Sequence, residues 1–398
     1  MKSATLLTVL VFPLLGLATR AEDWPQFRGP SSNGISAERG LNKDWNNRTP
    51  KVLWKFDMKD DGNAAPAVAG DRVYIVDHIG TQDIVRALDL NTGAQAWQCA
   101  YDDLTKNRYG FTVSTPLIDA GKIYILSRDG KVTCIDAAGG KQLWQRNLMA
   151  EIKAQVPAWD YAMSPVLNGD QLLFAPGGEG TGVVALDKAN GKTLWQGGGG
   201  GFTSFATPLV AQIDGKKEII TLTSKTIKGV DTEGKLLWEV PWPTSYDKKG
   251  PSPVLIGERL LISTTEGGDT GLIEVKDNVP KVVWSTKTIQ CHFTTPVFYH
   301  DRVWASSDTY LMAVEPLTGK ILWKKSGFQN ASLLAVNDTV IALAGTSGKL
   351  VMLDATADDY KELGAFTPLG GQSWTAPIVA NGKLLVRNAK TLECLDLK

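Results

Sequence analysis

Leu88-Asp89-Leu90-Asn91-Thr92-Gly93 followed by Trp97, and Leu186-Asp187-Lys188-Ala189-Asn190-Gly191 followed by Trp195, are two copies of one local device. In each, a carboxylate stands where it can accept backbone N–H groups two residues on, and a glycine supplies the positive φ that a short connection between twisted strands needs. The chain repeats it. Ile135-Asp136-Ala137-Ala138-Gly139-Gly140 precedes Trp144, Asp231 and Gly234 precede Trp238, and Glu315, Thr318 and Gly319 precede Trp323.

Seven tryptophans recur at near-constant intervals: Trp54, Trp97, Trp144, Trp195, Trp238, Trp284 and Trp323. Their spacing, roughly 40 to 50 residues, is the repeat length of a four-stranded propeller blade. A small residue followed by proline is another fixed point, at Ala65-Pro66, Thr115-Pro116, Ser164-Pro165, Thr207-Pro208, Ser252-Pro253, Thr295-Pro296 and Ala376-Pro377. Runs such as Val73-Tyr74-Ile75-Val76 and Ile123-Tyr124-Ile125-Leu126 follow, so a unit comprises three strands, a turn and a fourth strand. Acidic anchors at Asp89, Asp136, Asp187, Asp231, Glu315, Asp354 and Asp396, with a degenerate stretch from Glu274 to Asp277, make eight units. The seventh is degenerate: Ser332-Leu333 replaces the small-residue-proline pair, and Leu363 stands where a tryptophan belongs. The eighth lacks a last strand, while Val52-Leu53-Trp54-Lys55 is a last strand with no unit before it. The predicted fold is all-β, an eight-bladed β-propeller of four-stranded antiparallel blades. Its ring is closed by pairing the N-terminal strand with the C-terminal blade, which leaves no free edge. The tryptophans are expected in the seams between blades, each burying on the order of 200 Å².

Residues 1–21 are predicted to be a secretory signal peptide cleaved near Ala21. Lys2 gives a positive start, Leu6 to Leu17 is apolar but too short for a membrane span, and Ala21 is a small residue ahead of Glu22. A leader at 22–50 and the propeller at 51–398 make up the rest. Losing Lys2 and Arg20 lowers the basic residues from 42 to 40 against 42 acidic ones, a net charge of −2. That balance argues against nucleic acid or an anionic membrane surface as partner. An exported, periplasmic or secreted monomer without a transmembrane segment is expected. Asp23-Trp24-Pro25-Gln26-Phe27-Arg28-Gly29-Pro30 carries two aromatics and an arginine on a proline-stiffened stretch, and is expected to pin itself across one face of the ring. Gly197 to Gly201 are expected to form a mobile connection, and Asp102-Asp103 to be solvated loop charges.

Cys134 and Cys394 lie two residues before Asp136 and Asp396, in a slot filled elsewhere by Ala87, Ala185, Gly229 and Ala313. They are expected to be small core residues, and a Cys99–Cys291 bridge is left open. The pattern Ala-Leu-Asp, then Thr-Gly or Asn-Gly-Lys, then Trp resembles the tryptophan-docking repeat of pyrroloquinoline-quinone-type β-propellers, over nearly all of the chain after residue 21. That family includes quinoprotein dehydrogenases and periplasmic propellers similar to the outer-membrane β-barrel assembly lipoprotein, which carry no cofactor. For the enzymes, the resemblance implies adjacent cysteines, a tryptophan platform, and Glu, Asn and Asp oxygens around Ca²⁺. This chain has no Cys-Cys pair and is much shorter than the dehydrogenases, so neither pyrroloquinoline quinone (PQQ) nor Ca²⁺ is expected. Only His78, His292 and His300 are available for a zinc or haem site, and none is expected.

In a propeller, the segment entering each small-residue-proline step crosses from the outer strand of one blade to the inner strand of the next. Eight such segments surround one mouth of the central channel. Several are aromatic: Arg108-Tyr109-Gly110-Phe111, Trp159-Asp160-Tyr161, Phe202 with Phe205, His292-Phe293, and Gln372-Ser373-Trp374. Apolar walls with a few convergent polar groups make ligand sites. Arg108, Tyr109, Phe111, Trp159, Asp160, Tyr161, Phe205, His292, Phe293 and Trp374 are therefore the candidate ligand-binding residues, and no catalytic or metal-binding residue is assigned. The expected function is a non-enzymatic scaffold of the cell envelope that binds a protein or small ligand at this mouth. The alternative is a quinone-dependent or carbohydrate-linked enzyme using the same face.

Overall fold

The computed structural model describes residues 22–59, 61–103, 110, 112–152, 161–244, 249–264 and 267–398. Eight separate sheets make up the propeller, each with a four-stranded antiparallel meander. Blade 1 shows the plan: Ala67–Ala69 innermost, then Arg72–Ile79, Gln82–Asp89 and the outermost Gln95–Asp102. The middle strands are packed on both faces, which is why Val73-Tyr74-Ile75-Val76 is an unbroken apolar run with no residue above 4% exposed. Outer strands pack on one side only, so apolar and polar residues alternate there.

Closure follows the prediction. Val52–Asp57 pairs antiparallel with Thr391–Asp396, with Trp54 opposite Cys394, and completes blade 8 from both ends of the chain. Blade 7 carries an additional strand, Ile35–Ser36, parallel to Ser332–Val336 at its inner edge.

The acidic anchors act as the sequence requires. Asp89 Oδ1 accepts the N–H groups of Asn91 (3.0 Å) and Thr92 (2.9 Å), and Asp231 Oδ1 accepts those of Glu233 and Lys235, both at 2.9 Å. At Asp354, the Thr356 hydroxyl and Lys361 ammonium hold the carboxyl down at about 2. The turn glycines then receive the tryptophan of the preceding blade. A Cβ on Gly93 would lie 2.7 Å from the Trp54 ring, and Gly191 and Gly319 meet Trp144 and Trp284 at the same distance. The Trp54 and Trp284 indole N–H groups donate to Leu90 and Pro316 carbonyls, each at 2.9 Å.

Three seams depart from this plan; in one, the blade 7 turn has no glycine and Trp323 meets the Tyr360 ring edge-on at 5.6 Å. Blade 5 has a two-residue hairpin at Asp277 and Asn278, both with positive φ, in place of the glycine turn, and Trp238 donates to Glu218 of its own blade at 2.7 Å. Blade 7 lacks a tryptophan, and Trp45 of the leader fills the space. Only 1% exposed, Trp45 packs edge-on to Phe366 at 5.3 Å and lies so close over Gly364 that a Cβ there would come within 2.6 Å of it.

The glycine run is not the loose connection expected. Thr193–Gly198 is a strand, the Gly198 N–H donates to the Gly234 carbonyl, and Gly182 lies against the Gly198 and Gly199 carbonyls. Glycine is needed here because the backbones approach too closely for side chains. Cys134 and Cys394 are fully buried, and all four cysteines are free thiols, Cys99 and Cys291 included. Among the described residues, no helix is long and apolar enough to cross a membrane.

Candidate functional site

A belt of hydroxyls surrounds the channel at the small-residue-proline steps. Thr115 N–H donates to Ser164 Oγ (2.9 Å), Ser164 N–H to Thr207 Oγ1, Thr207 N–H to Ser252 Oγ, and Ser252 N–H to Thr295 Oγ1, the last three at 3.0 Å. Each hydroxyl thus ties its blade to the one before it. The repeated Ser or Thr before proline carried this signal, although the sequence suggested only that a small residue was needed. The belt changes character where Ala65, Ala376 and Ser332-Leu333 replace the hydroxyl-proline pair. There, Ser332 Oγ donates to the Trp374 carbonyl (3.1 Å) and Thr375 Oγ1 to the Asn63 carbonyl (3.0 Å).

The leader enters the channel from the opposite end. Trp24 pairs with Val68 through two backbone hydrogen bonds of 3.0 and 2.8 Å, the Ile118 N–H donates to Pro25 O, and the Ala335 N–H donates to Gly34 O. At its turn, Arg28 donates to the carbonyls of Ser32, Asn33, Thr295 and Pro296. The leader therefore spans the channel from blades 1 and 2 to blades 6 and 7, deeper than a segment lying across a face.

Between the leader and the mouth lies a cavity of about 120 Å³. Trp24, Phe27 and Arg28 line it from the leader, and Phe293, Thr295, Ser332 and Trp374 from the blades. Phe293 joins the candidate aromatics into one cluster, with its ring 5.3 Å from His292 and 5.0 Å from Trp374. His292 Nδ1 lies 3.2 Å from Asp308 Oδ1 at the exposed rim.

The other candidates are placed differently. Tyr161 is 2% exposed in the core with Leu117, Tyr124 and Phe174, and its hydroxyl donates to Pro176 O at 2.9 Å. Its ring packs between blades 2 and 3 and is not part of the cavity wall at the mouth, where it was expected. Phe205 is half-buried and is not part of the cavity wall. Arg108, Tyr109, Phe111, Trp159 and Asp160 lie outside the described residues.

Several buried polar groups at this end were not foreseen. Asp103, expected in solvent, is 1% exposed and accepts the Arg128 N–H, and Arg128 Nη1 donates to Gly110 O at 2.7 Å. Lys249 Nζ donates to Thr223 O, and Arg387 Nη1 donates to Ala64 O at 2.7 Å. These cations clamp the backbone where the chain crosses between blades or turns within one. A further group lies at the end of the second and third strands of blade 1. His78 Nδ1 is 2.9 Å from Asp83 Oδ1 and Nε2 is 2.9 Å from Gly80 O, while the Tyr101 hydroxyl donates to Asp83 Oδ2. Burial raises the Asp83 carboxyl to about 6, and the Asp83 hydrogen bond raises His78 against the opposing effect of its own burial.

A quinone with a hard divalent cation requires carboxylate and amide oxygens converging on one point. The cavity wall carries no Asp, Glu, His or Cys, and no group of three or more such residues is placed to hold a metal among the described residues. The donor set at the cavity does not fit that cation.

A family model described as "Outer membrane protein assembly factor BamB" matches residues 36–208, 81–325 and 223–390 in overlapping passes. The outer membrane protein assembly factor BamB of Yersinia pestis is 23% identical over 296 residues, covering 69% of this chain and 71% of that protein. The 1-butanol dehydrogenase (cytochrome c) of Thauera butanivorans is 26% identical over 108 residues, covering 25% of this chain but only 15% of the enzyme. The crystal structure of the quinohemoprotein alcohol dehydrogenase from Comamonas testosteroni superposes with a TM-score of 0.69 at 15% identity, covering 94% of this chain and 80% of the other.

Proposed function

The chain belongs to the family described as outer membrane protein assembly factor BamB, and on that premise we propose that it is an exported, cofactor-free, non-enzymatic propeller of the cell envelope. Its binding face is the mouth carrying His292, Phe293 and Trp374, and its occupant is an envelope protein or a small ligand. The observation that carries this reading is the position of the leader. Trp24, Phe27 and Arg28 occupy the channel beneath the mouth, leaving a small cavity without carboxylates in its wall where an enzyme would need room for a cofactor and substrate together. The signal-peptide pattern of residues 1–21 supports export.

The Thauera and Comamonas matches favour a second reading, a quinone-linked dehydrogenase using the same mouth. One experiment separates the two. Purified protein is titrated with pyrroloquinoline quinone and Ca²⁺ while absorbance and Tm are followed. The scaffold reading expects both to stay unchanged, and a saturable shift would establish the second. In parallel, capture from an envelope fraction should depend on Trp374.

A further inference from the structure

Arg28 carries a buried charge with no opposite charge to meet it. The residue is 9% exposed and its side-chain partners are four neutral carbonyls: Ser32 O on Nε (3.3 Å), Thr295 O on Nη1 (3.3 Å), and Asn33 O (2.7 Å) and Pro296 O (2.9 Å) on Nη2. These satisfy four of the five N–H groups that a guanidinium offers and leave one on Nη1. Among the described residues, no carboxylate forms an ion pair with it. Desolvation alone drives its pKa down to about 10. Carbonyl dipoles answer the hydrogen-bonding demand of a buried cation but not its full charge, which favours the arrival of an anion.

The backbone adds a second observation. Arg28 adopts φ 62°, in the left-handed region, and Gly29 follows at φ 80°. A residue with a Cβ is less stable there than glycine. Bonding the Thr295 and Pro296 carbonyls could be left to a neutral amide, so the costly choice at this turn is a permanent positive charge.

That charge borders the cavity, whose remaining walls are apolar or hydroxylic apart from Asn63. Phe27, Trp24, Phe293, Leu333, Trp374 and Ile378 offer flat or branched hydrocarbon, and Thr115, Thr295, Ser332 and Thr375 offer hydroxyls. The geometry points to an organic carboxylate as the occupant of this cavity, with its anionic group against Arg28 and the hydroxyl belt and its apolar body against Phe293 and Trp374. The inference rests on the mouth being the binding face and narrows its ligand to one chemical class. The carboxylate can belong to a free small molecule or to the C-terminus of a polypeptide.

Sodium benzoate and benzamide, matched in shape and differing in charge, are the first probes, titrated into the purified protein with Tm and tryptophan fluorescence as readouts. Benzoate should give a saturable Tm rise, and benzamide should bind at least about tenfold more weakly, the usual worth of a charge-assisted hydrogen bond. Arg28→Gln should abolish that preference, and Arg28→Lys should keep it at lower affinity. If Arg28→Gln does not fold, the wild-type comparison and Arg28→Lys still decide. A short peptide ending in phenylalanine, with a free or an amidated C-terminus, identifies the source. Tighter binding of the free acid than of either benzoate or the amide assigns the carboxylate to a polypeptide, whereas preferential benzoate binding assigns it to a small molecule. Equal binding of acids and amides, or no saturable response to any acid, overturns the inference. Envelope capture that still depends on Trp374 in that event would leave the mouth as binding face and remove only its anion preference. Loss of both would sink the two together.

Discussion

Trp195 and Trp374 are the same side chain used in two ways. Trp195 belongs to a repeating device: it packs over Gly234 in the turn of the next blade, close enough that a Cβ there would sit 2.6 Å from its ring. Trp374 belongs to none. It sits half-buried at the channel mouth, meets Phe293 at 5.0 Å, and lines a cavity rather than filling a seam. The difference teaches that a periodic aromatic in this chain is a fastener between blades. An aromatic outside the period either fills a gap in the packing, as Trp45 and Tyr161 do, or, like Trp374, is left for other work.

The largest effect expected from breaking this comparison lies at the closure seam, where the fastening is shared between the chain ends. Deleting residues 22–57 removes the outer strand of blade 8, Trp45 from its place over Gly364, and the leader from the channel. Loss of cooperative unfolding, seen by calorimetry and near-UV circular dichroism, is the expected outcome. A truncated protein that melts like the full chain would mean that the ring closes without its N-terminal strand.

Single seam residues come next. Trp54 is 7% exposed and its indole N–H is bonded to Leu90 O, so Trp54→Ala should cost about 3–5 kcal/mol. Trp144 and Trp195 are half-buried, and their indole N–H groups find no acceptor among the described residues. Their alanine variants should cost less, about 2–3 kcal/mol. Denaturant titration gives the ranking, and equal losses at all three positions would show that the hydrogen bond and the extra burial at Trp54 add nothing.

The periodic half of the molecule was legible because one local rule recurs. Asp, Gly and Trp keep their spacing, and each copy corroborates the others, so the blade number, the acidic turns and the terminal pairing all followed. Departures from the rule were less legible. Leu363 showed that blade 7 lacked its tryptophan, but nothing local linked that gap to Trp45, more than three hundred residues earlier in the chain. The mouth was legible only as a neighbourhood. His292, Phe293 and Trp374 come together, whereas Tyr161, in an equivalent crossing segment, turns into the core between blades 2 and 3. Sequence position placed these segments at the mouth, but the direction of each side chain depends on packing that has no period. Arg28 is the clearest case, because its partners at Thr295 and Pro296 lie at the far side of the ring.

A pH titration tests another non-repeating element. Asp83 in the folded protein holds its proton up to about 6, above its ordinary value near 3.8, so between those values the folded state binds more protons than the unfolded one. Stability from this group therefore falls as pH rises through that window. His78, also raised, contributes stability below its ordinary value that is lost as pH rises through its folded one, which is the same sign. The pair, with Tyr101 and Asp103 facing it, should lose on the order of 2–3 kcal/mol of stability between pH 4 and pH 7. Asp83→Asn should flatten that decline in Tm-against-pH curves. A wild-type profile no steeper than the variant's would show that the pair does not titrate in this range.

The smallest effect on folding is expected at the mouth, and that is what makes it informative. Trp374→Ala and Phe293→Ala remove half-buried rings that face a cavity, so neither forfeits a packed seam, and each should cost about 1 kcal/mol or less. Tyr161→Ala, by contrast, empties a core site and removes a hydroxyl bonded to Pro176 O, and should cost about 3 kcal/mol or more. Binding should rank these variants in the opposite order. If the mouth captures an envelope partner, loss of Trp374 should weaken capture by about 2 kcal/mol or more, as aromatic anchors at interfaces usually do. Tyr161→Ala should bind normally wherever enough of it remains folded. Should Trp374→Ala destabilise as much as Tyr161→Ala and leave capture unchanged, the mouth rings are fasteners after all, and the distinction between periodic and solitary aromatics fails.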